Sequence, residues 1–246
     1  MSSSEGQAGA SEGTFGTIAP HYRATEWVRR APGLSDEQFV HHWRTVRAPL
    51  VRRIPGLVKA TFHAIDHALS PDVRYDAVLQ YDFKDKAGYQ AAMNGPQNEA
   101  QAQLARDVTR FMEPDFTAIT SRECVIRELA PKLPKPRAKR IGFVGRDPGI
   151  DRAEFFRRWR DIHAEEVVAQ YGLVAYSLNL IDQDRFPSFP FDGYAELWWP
   201  DWEIQRESSR RMAGEFAKRA NFFHTHLVML ISDYDVVRAV SDDLDD

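Results

Sequence analysis

The sequence predicts an α+β protein: two tandem βαββαβ units whose antiparallel sheets pack face to face into one intramolecular α/β barrel. The first observation is a repeat. Shifted by 116 positions, residues 30–66 and 146–182 align without a gap and share 13 identities in 37 positions, among them Pro32/Pro148, Gly33/Gly149, Phe39/Phe155, Trp43/Trp159 and Gly56/Gly172. Chance would give about 6% identity at average residue usage, so the period marks a duplicated unit. The second is that each copy shows the same order of strand-like and helix-like patterns. The third is a stretch with three prolines, 130–138 (APKLPKPRA), which reads as an extended linker between the copies.

The elements follow in order. Residues 21–30 are rich in aromatic and β-branched side chains and stop at Ala31-Pro32-Gly33, which gives a strand and a turn. Ser35 stands at an N-cap position with Asp36, Glu37 and Gln38 in the first turn, and Phe39, Trp43, Val46 and Leu50 follow at helical spacing. Pro55-Gly56 ends that helix. Residues 57–65 and 74–83 alternate as half-buried strands do, with Ala77, Leu79, Tyr81 and Phe83 on one face. A helical region at 85–110, interrupted near Gly95-Pro96, leads to a strand at 116–127 that contains Cys124 as a buried hydrophobe. The second copy has strands at 139–146, 173–181, 191–199 and 226–237. Its helices lie after Asp151, with the stripe Phe155, Trp159, Ile162 and Glu166, and near 202–219. This order is the ferredoxin-like split-βαβ unit, an antiparallel sheet with helices on one face. The segments are therefore 1–16 (small, polar and disordered), 17–129, the linker 130–138, 139–240, and the acidic tail 241–246.

Composition narrows the function classes. A net charge of −4 argues against nucleic acid as a partner. No apolar run approaches the ~20 residues that cross a bilayer, and the N-terminus has no secretory pattern. One cysteine excludes a disulfide framework and fits a cytoplasmic protein. Nothing resembles a phosphate loop, a dinucleotide fingerprint or HExxH, so no organic cofactor is expected.

Histidines supply the candidate chemistry. His163 lies one helical turn after Trp159 and is placed to act as a general base, or to tie the helix to a carbonyl. His224 and His226 alternate at the start of the last strand. Both then share one face, as catalytic groups, as surface residues or as two ligands of a metal for which local spacing gives no third. Tyr176 shares a strand face with Leu178 and Leu180, as core or as a donor to a substrate oxygen. The opposite strand faces carry Lys59, Thr61, His63 and Gln80 in the first copy and Ser177, Asn179, Tyr194, Glu196 and Trp198 in the second. If the sheets face each other, these groups form either a self-satisfied network or a wet cavity, with His63, Asn179, Tyr194 and Glu196 contacting substrate and Trp198 against a ring.

The runs RRAPGLSDEQFVHHWRTVRAPL, PGLVKATFHAID, GRDPGIDRAEFFRRWRDIHAEEV and FDGYAELWW closely resemble the EthD family of the dimeric α/β-barrel superfamily. The resemblance implies a superfamily of cofactor-free cyclases, dehydratases, decarboxylases, lactone isomerases and small monooxygenases, with haem-binding members besides. Its histidine after the tryptophan is His163 in the second copy and Arg47 in the first, which implies that the second half carries the chemistry. Some cyclases of the superfamily pair a histidine near His224 and His226 with a tyrosine.

The resulting expectation is a cofactor-independent lyase, cyclase or isomerase working on a small, apolar, oxygenated substrate. His163 or His226 removes a proton, and Tyr176 or Asn179 stabilises the enolate oxygen. The alternatives are a haem-binding or oxygen-using protein and a non-catalytic binder of hydrophobic ligands. A homodimer of tandem barrels is a further expectation.

Overall fold

The computed structural model describes residues 17–19, 21–113, 117–128, 138–212 and 223–238. The N-terminal 1–16, the linker up to residue 137 and the tail 241–246 lie outside these, as does the stretch 213–219 of the expected last helix. The strands are β1 (Thr17–Ile18), β2 (Tyr22–Val28), β3 (Leu57–Ile65), β4 (Ala77–Phe83), β5 (Thr117–Arg127), β6 (Ala138–Arg146), β7 (Ala175–Ile181), β8 (Gly193–Trp199) and β9 (Phe223–Arg238). The helices are α1 (Asp36–His42), α2 (Ala48–Val51), α3 (Lys86–Asn94), α4 (Glu99–Phe111), α5 (Arg152–Arg158), α6 (Ala164–Val168) and α7 (Trp202–Met212).

All strands belong to one antiparallel sheet in the order β1-β5-β2-β4-β3-β9-β6-β8-β7, and β5 pairs with β7 to close it. This corrects the expected fold class and the reading of the family resemblance as two tandem domains. The halves do not form separate sheets laid face to face. They are sewn edge to edge along two seams, Lys59 opposite Arg238 on one and Ser121 opposite Ile181 on the other, into a single eight-stranded barrel that β1 extends along β5. Closure removes the strand edges that a separate half would leave unpaired.

The repeat persists inside that single barrel. Arg30 binds Asp76 through its backbone N–H (2.9 Å) and its guanidinium, and Arg146 binds Asp192 in the same way at 2.8 and 2.7 Å. Gly33, Gly56, Gly149 and Gly172 hold the matching turns at positive φ, a region that side chains with a Cβ rarely adopt. Ser35 caps α1 in a reciprocal box with Gln38, and Asp151 caps α5.

The helical stripes differ from expectation by one residue. In both halves a π-helical turn follows the first helix, Trp43–Arg47 and Trp159–His163. A π turn takes up an extra residue. The buried series therefore runs Phe39, Trp43, Arg47, Val51 and Phe155, Trp159, His163, Val167, while Val46 and Ile162 face solvent and Leu50 and Glu166 are only half-buried.

Three cores result. One fills the layer between sheet and helices in the first half, a second fills the matching layer in the second half, and a third occupies the barrel interior. Cys124 is fully buried on β5. No helix among the described residues is long and apolar enough to cross a membrane.

Candidate active site

Strand alternation separates two polar regions. Along β2, Arg23, Thr25 and Trp27 point into the barrel, whereas Tyr22, Ala24, Glu26 and Val28 point to the helices. The interior residues form a buried network. Arg23 donates to Asp82 (2.6 Å), Glu123 (2.9 Å) and Asn179 (3.0 Å). Burial opposes the charge on Arg23, but Glu123 and Asp82 hold its guanidinium well above its ordinary range. Lys139 donates to Glu196 at 3.1 Å and lies 3.0 Å from His63 Nε2, while Gln80 bonds both His63 and Glu196. Burial, only partly offset by Glu196, pushes the Lys139 amine down to about 8. Burial, with Lys139 beside it, drives His63 well below its ordinary value. Tyr194 bonds Thr25 at 2.8 Å, and Trp198 lies under the Lys139 ammonium at 4.2 Å. The structure thus brings His63, Asn179, Tyr194, Glu196 and Trp198 together as a network with its own partners. His63 Nδ1 and Asn179 Nδ2 are its unsatisfied atoms.

His163 and Tyr176 occupy a different region, the helix–sheet layer of the second half. His163 is buried against the edge of Phe223 (5.0 Å), its Nδ1 is 3.6 Å from Glu166, and burial lowers its pKa to about 4. Tyr176 is buried beside Trp159, and burial raises its phenol far above the usual range. His224 is exposed and pairs with Asp147 at 2.6 Å, away from both. His226 belongs to β9 by its backbone, and its side chain lies outside the described ones.

An apolar space walled partly by titratable groups lies in the first half. A cavity of about 420 Å³ lies between the outer face of β2, β4 and β5 and helices α2, α3 and α4. Ala24, Phe83, Leu104, Val108 and Met112 give it apolar walls, and Arg185 and Phe186 reach it from the loop after β7. Its ionisable lining is Glu26, Arg47, Tyr81, Tyr89 and Arg185. Burial raises the Glu26 carboxyl, against the pull of Arg47 and of Tyr81. The Tyr81 hydroxyl donates to Glu26 Oε2 at 3.4 Å, and burial together with Glu26 holds that phenol protonated, well above its ordinary range.

Arg47 reaches this wall because of the π turn. Its Nη1 donates to Asp107 (3.1 Å) and to the Leu104 carbonyl (3.4 Å), and its guanidinium covers the Phe111 ring at 4.6 Å. Asp107 also holds His42, at 2.9 and 3.0 Å. Arg47 Nε is buried without a partner. The arrangement is a base of raised pKa, a phenol donor and a fixed cation around an apolar space. It suits removal of a proton and stabilisation of the resulting oxyanion. Sequence reasoning missed Glu26. Its signal was an acid on the apolar face of an alternating strand, between Ala24 and Val28.

Among the described residues no histidine or cysteine lines the first-half cavity, whose side chains of haem-ligand type are Tyr81, Tyr89, Met93 and Met112. Haem iron takes His, Cys, Met or Tyr as axial ligand. Beside the cavity the counterpart of His163 is Arg47, and Tyr81 is engaged with Glu26. In the second half Trp159, Tyr176 and Trp199 fill the layer at His163. Among the described residues no group of three or more His, Cys, Asp or Glu side chains is placed to hold a metal ion.

Residues 31–115, about a third of the chain, match the EthD domain family. No curated protein is similar in sequence. Solved structures share the fold. A protein of Fusobacterium nucleatum described as a "putative monooxygenase" superposes with a TM-score of 0.61 at 8% identity, covering 89% of this chain and 95% of that one. An anthrone oxidase-like protein gives 0.55 at 8% identity over 89% and 94%. A mutant chlorite dismutase of Candidatus Nitrospira defluvii gives 0.54 at 11% identity over 87% and 91%. At such identities the likeness establishes the fold alone.

Proposed function

We propose that the chain is an enzyme of small-molecule oxygen chemistry, with its active site in the first-half cavity. The substrate is a flat, apolar molecule with an acidic C–H beside a carbonyl or phenol. The observation that carries this reading is Glu26: a carboxylate of raised pKa in an apolar cavity, with Arg47 and Tyr81 beside it. Glu26 takes the proton. The Arg47 guanidinium and the Tyr81 hydroxyl stabilise the enolate oxygen, and the walls keep water from returning the proton. The electron-rich carbon is then open to O2. Overall a CH2 becomes C=O, with one oxygen atom entering the product and the other leaving as water. The oxygen-using names of several proteins with this fold support the assignment by analogy.

The lyase, cyclase or isomerase outcome shares the first step and consumes no oxygen. His163 with Tyr176, or His226, is the rival base for either outcome. Oxygen uptake with anthrone and related enolisable aryl ketones as probes separates these readings. Uptake that falls about 10²–10⁴-fold in Glu26→Gln and survives His163→Ala supports the proposal. Unchanged turnover in Glu26→Gln overturns the role of Glu26, and turnover without oxygen loss overturns the oxygen chemistry.

A further inference from the structure

The cavity of the first half is completed by the second. Arg185 and Phe186, from the loop between β7 and β8, line it. The Arg185 guanidinium lies over the ring of Tyr89 at 5.0 Å and over that of Phe186 at 5.6 Å. Stacking of this kind fixes the guanidinium plane, and the Tyr89 hydroxyl takes only part of its N–H edge. Arg185 has no carboxylate partner among the described residues. Lys86, a cation that feels the Arg185 charge, is already paired with Asp182 at 3.2 Å.

A second unspent donor lies deeper. Arg47 is 4% exposed, and its Nε–H has no acceptor in the protein. Arg47 lines the cavity, and its guanidinium is the buried cation that an occupant meets there. The cavity therefore offers one donor inside and one aromatic-stacked guanidinium at its rim, with apolar walls between.

We infer that the substrate is an aromatic acid or phenolate: a flat ring system with its reacting carbonyl on Arg47 and an ionised carboxylate or phenolate oxygen on Arg185. The inference rests on the proposed use of this cavity and adds the charge of the substrate and the group that reads it. A carboxylate meets the N–H edge of a guanidinium in two parallel hydrogen bonds, which a neutral ester cannot match. The second half thereby selects what the first half transforms.

The test is calorimetric binding of 2-naphthoate and of its methyl ester to the intact protein. The expected result is a preference for the acid of about tenfold, weakened by salt. It falls to within about twofold in Arg185→Leu, persists in part in Arg185→Lys, and reverses in Arg185→Glu. In Glu26→Gln, where turnover is lost, the preference stands, so a failed reaction and a failed recognition give different patterns. Equal binding of acid and ester to the unaltered protein overturns the inference. So does a preference that survives Arg185→Leu, which would place the anion on Arg47. Binding of neither probe removes the cavity as a site, and with it this inference.

Discussion

The layer between helices and sheet is open in the first half and closed in the second, although both are built on the same repeat. Five counterpart pairs account for the difference. Gly88 on α3 corresponds to Ile204 on α7, which presses on Gly172 where Gly88 merely approaches Gly56. Ala77 corresponds to Gly193, and a Cβ on Gly193 would lie 2.6 Å from the Trp159 ring, so Trp159 sinks onto the sheet there. Glu26 corresponds to Gly142, Tyr81 to Leu197 and Arg47 to His163. The first half keeps space and charge. The second spends the same volume on packing, and its histidine is held neutral by burial. The difference teaches that two copies of one repeat can share a barrel and still diverge, one layer keeping an open, charged cavity and the other a packed core.

The largest effect expected is on the chemistry. Glu26→Gln lowers kcat by about 10²–10⁴-fold with little change in ligand affinity. Glu26 accepts a proton only when ionised, and burial raises its pKa. Activity therefore falls with decreasing pH at values above the ordinary carboxylate range, a limb that a pH–rate profile locates. A limb at the ordinary range sinks the assignment of Glu26 as base.

Next comes the packing. Gly193→Ala pushes Trp159 off the sheet and destabilises the fold by about 1–3 kcal/mol. The reciprocal Ala77→Gly costs about 0.5–1 kcal/mol through backbone entropy. Thermal melts of both variants sharpen the comparison, and equal shifts would erase it.

The barrel interior shows the same asymmetry between counterparts. Arg23 has Asp82 and Glu123 to itself and shares Glu196 with Lys139, which otherwise has only the Trp198 ring and His63 beside it. The folded value of Lys139, about 8, lies below the 10.5 of free lysine. Between those values the unfolded chain binds a proton that the folded chain has released, so stability rises with pH across that window. Below about 8 both states hold the proton and the buried charge weighs fully. The rise is at most about 3–4 kcal/mol. The double variant Lys139→Met/Glu196→Gln should lose it in urea titrations at pH 7.5 and pH 10. An unchanged slope would assign the rise to other groups.

The smallest effect concerns Asp107. Asp107→Asn loosens Arg47, a donor to the enolate oxygen, and lowers kcat by roughly two- to fivefold. A rise in KM with kcat intact would take Arg47 out of the transition state.

Much of this was legible in the chain. The 116-residue period located the turns and helix starts of both halves, and alternation put Tyr81 and His63 on opposite faces. The seams were not legible, because backbone pairing of β3 with β9 and of β5 with β7 places almost no demand on side-chain identity. The π turns also escaped. A 3.6-residue period assigns Val46 and Ile162 to the core, and only an extra residue in the turn brings Arg47 and His163 there instead. Glu26 could have been found, had a lone acid on an apolar strand face been weighed as heavily as the histidines were.

The first seam has a consequence for how the chain is made. β3 is complete by residue 65, yet its outer neighbour β9 ends at Arg238. At about 5–20 residues per second, a growing chain carries that strand with one side bare for roughly ten to thirty seconds. A second nascent copy could supply the missing neighbour sooner than the chain's own end does. The polar and charged residues of β3, Lys59, Thr61 and His63, then serve a purpose during synthesis as well as after it: they make the waiting edge a poor template for a stranger.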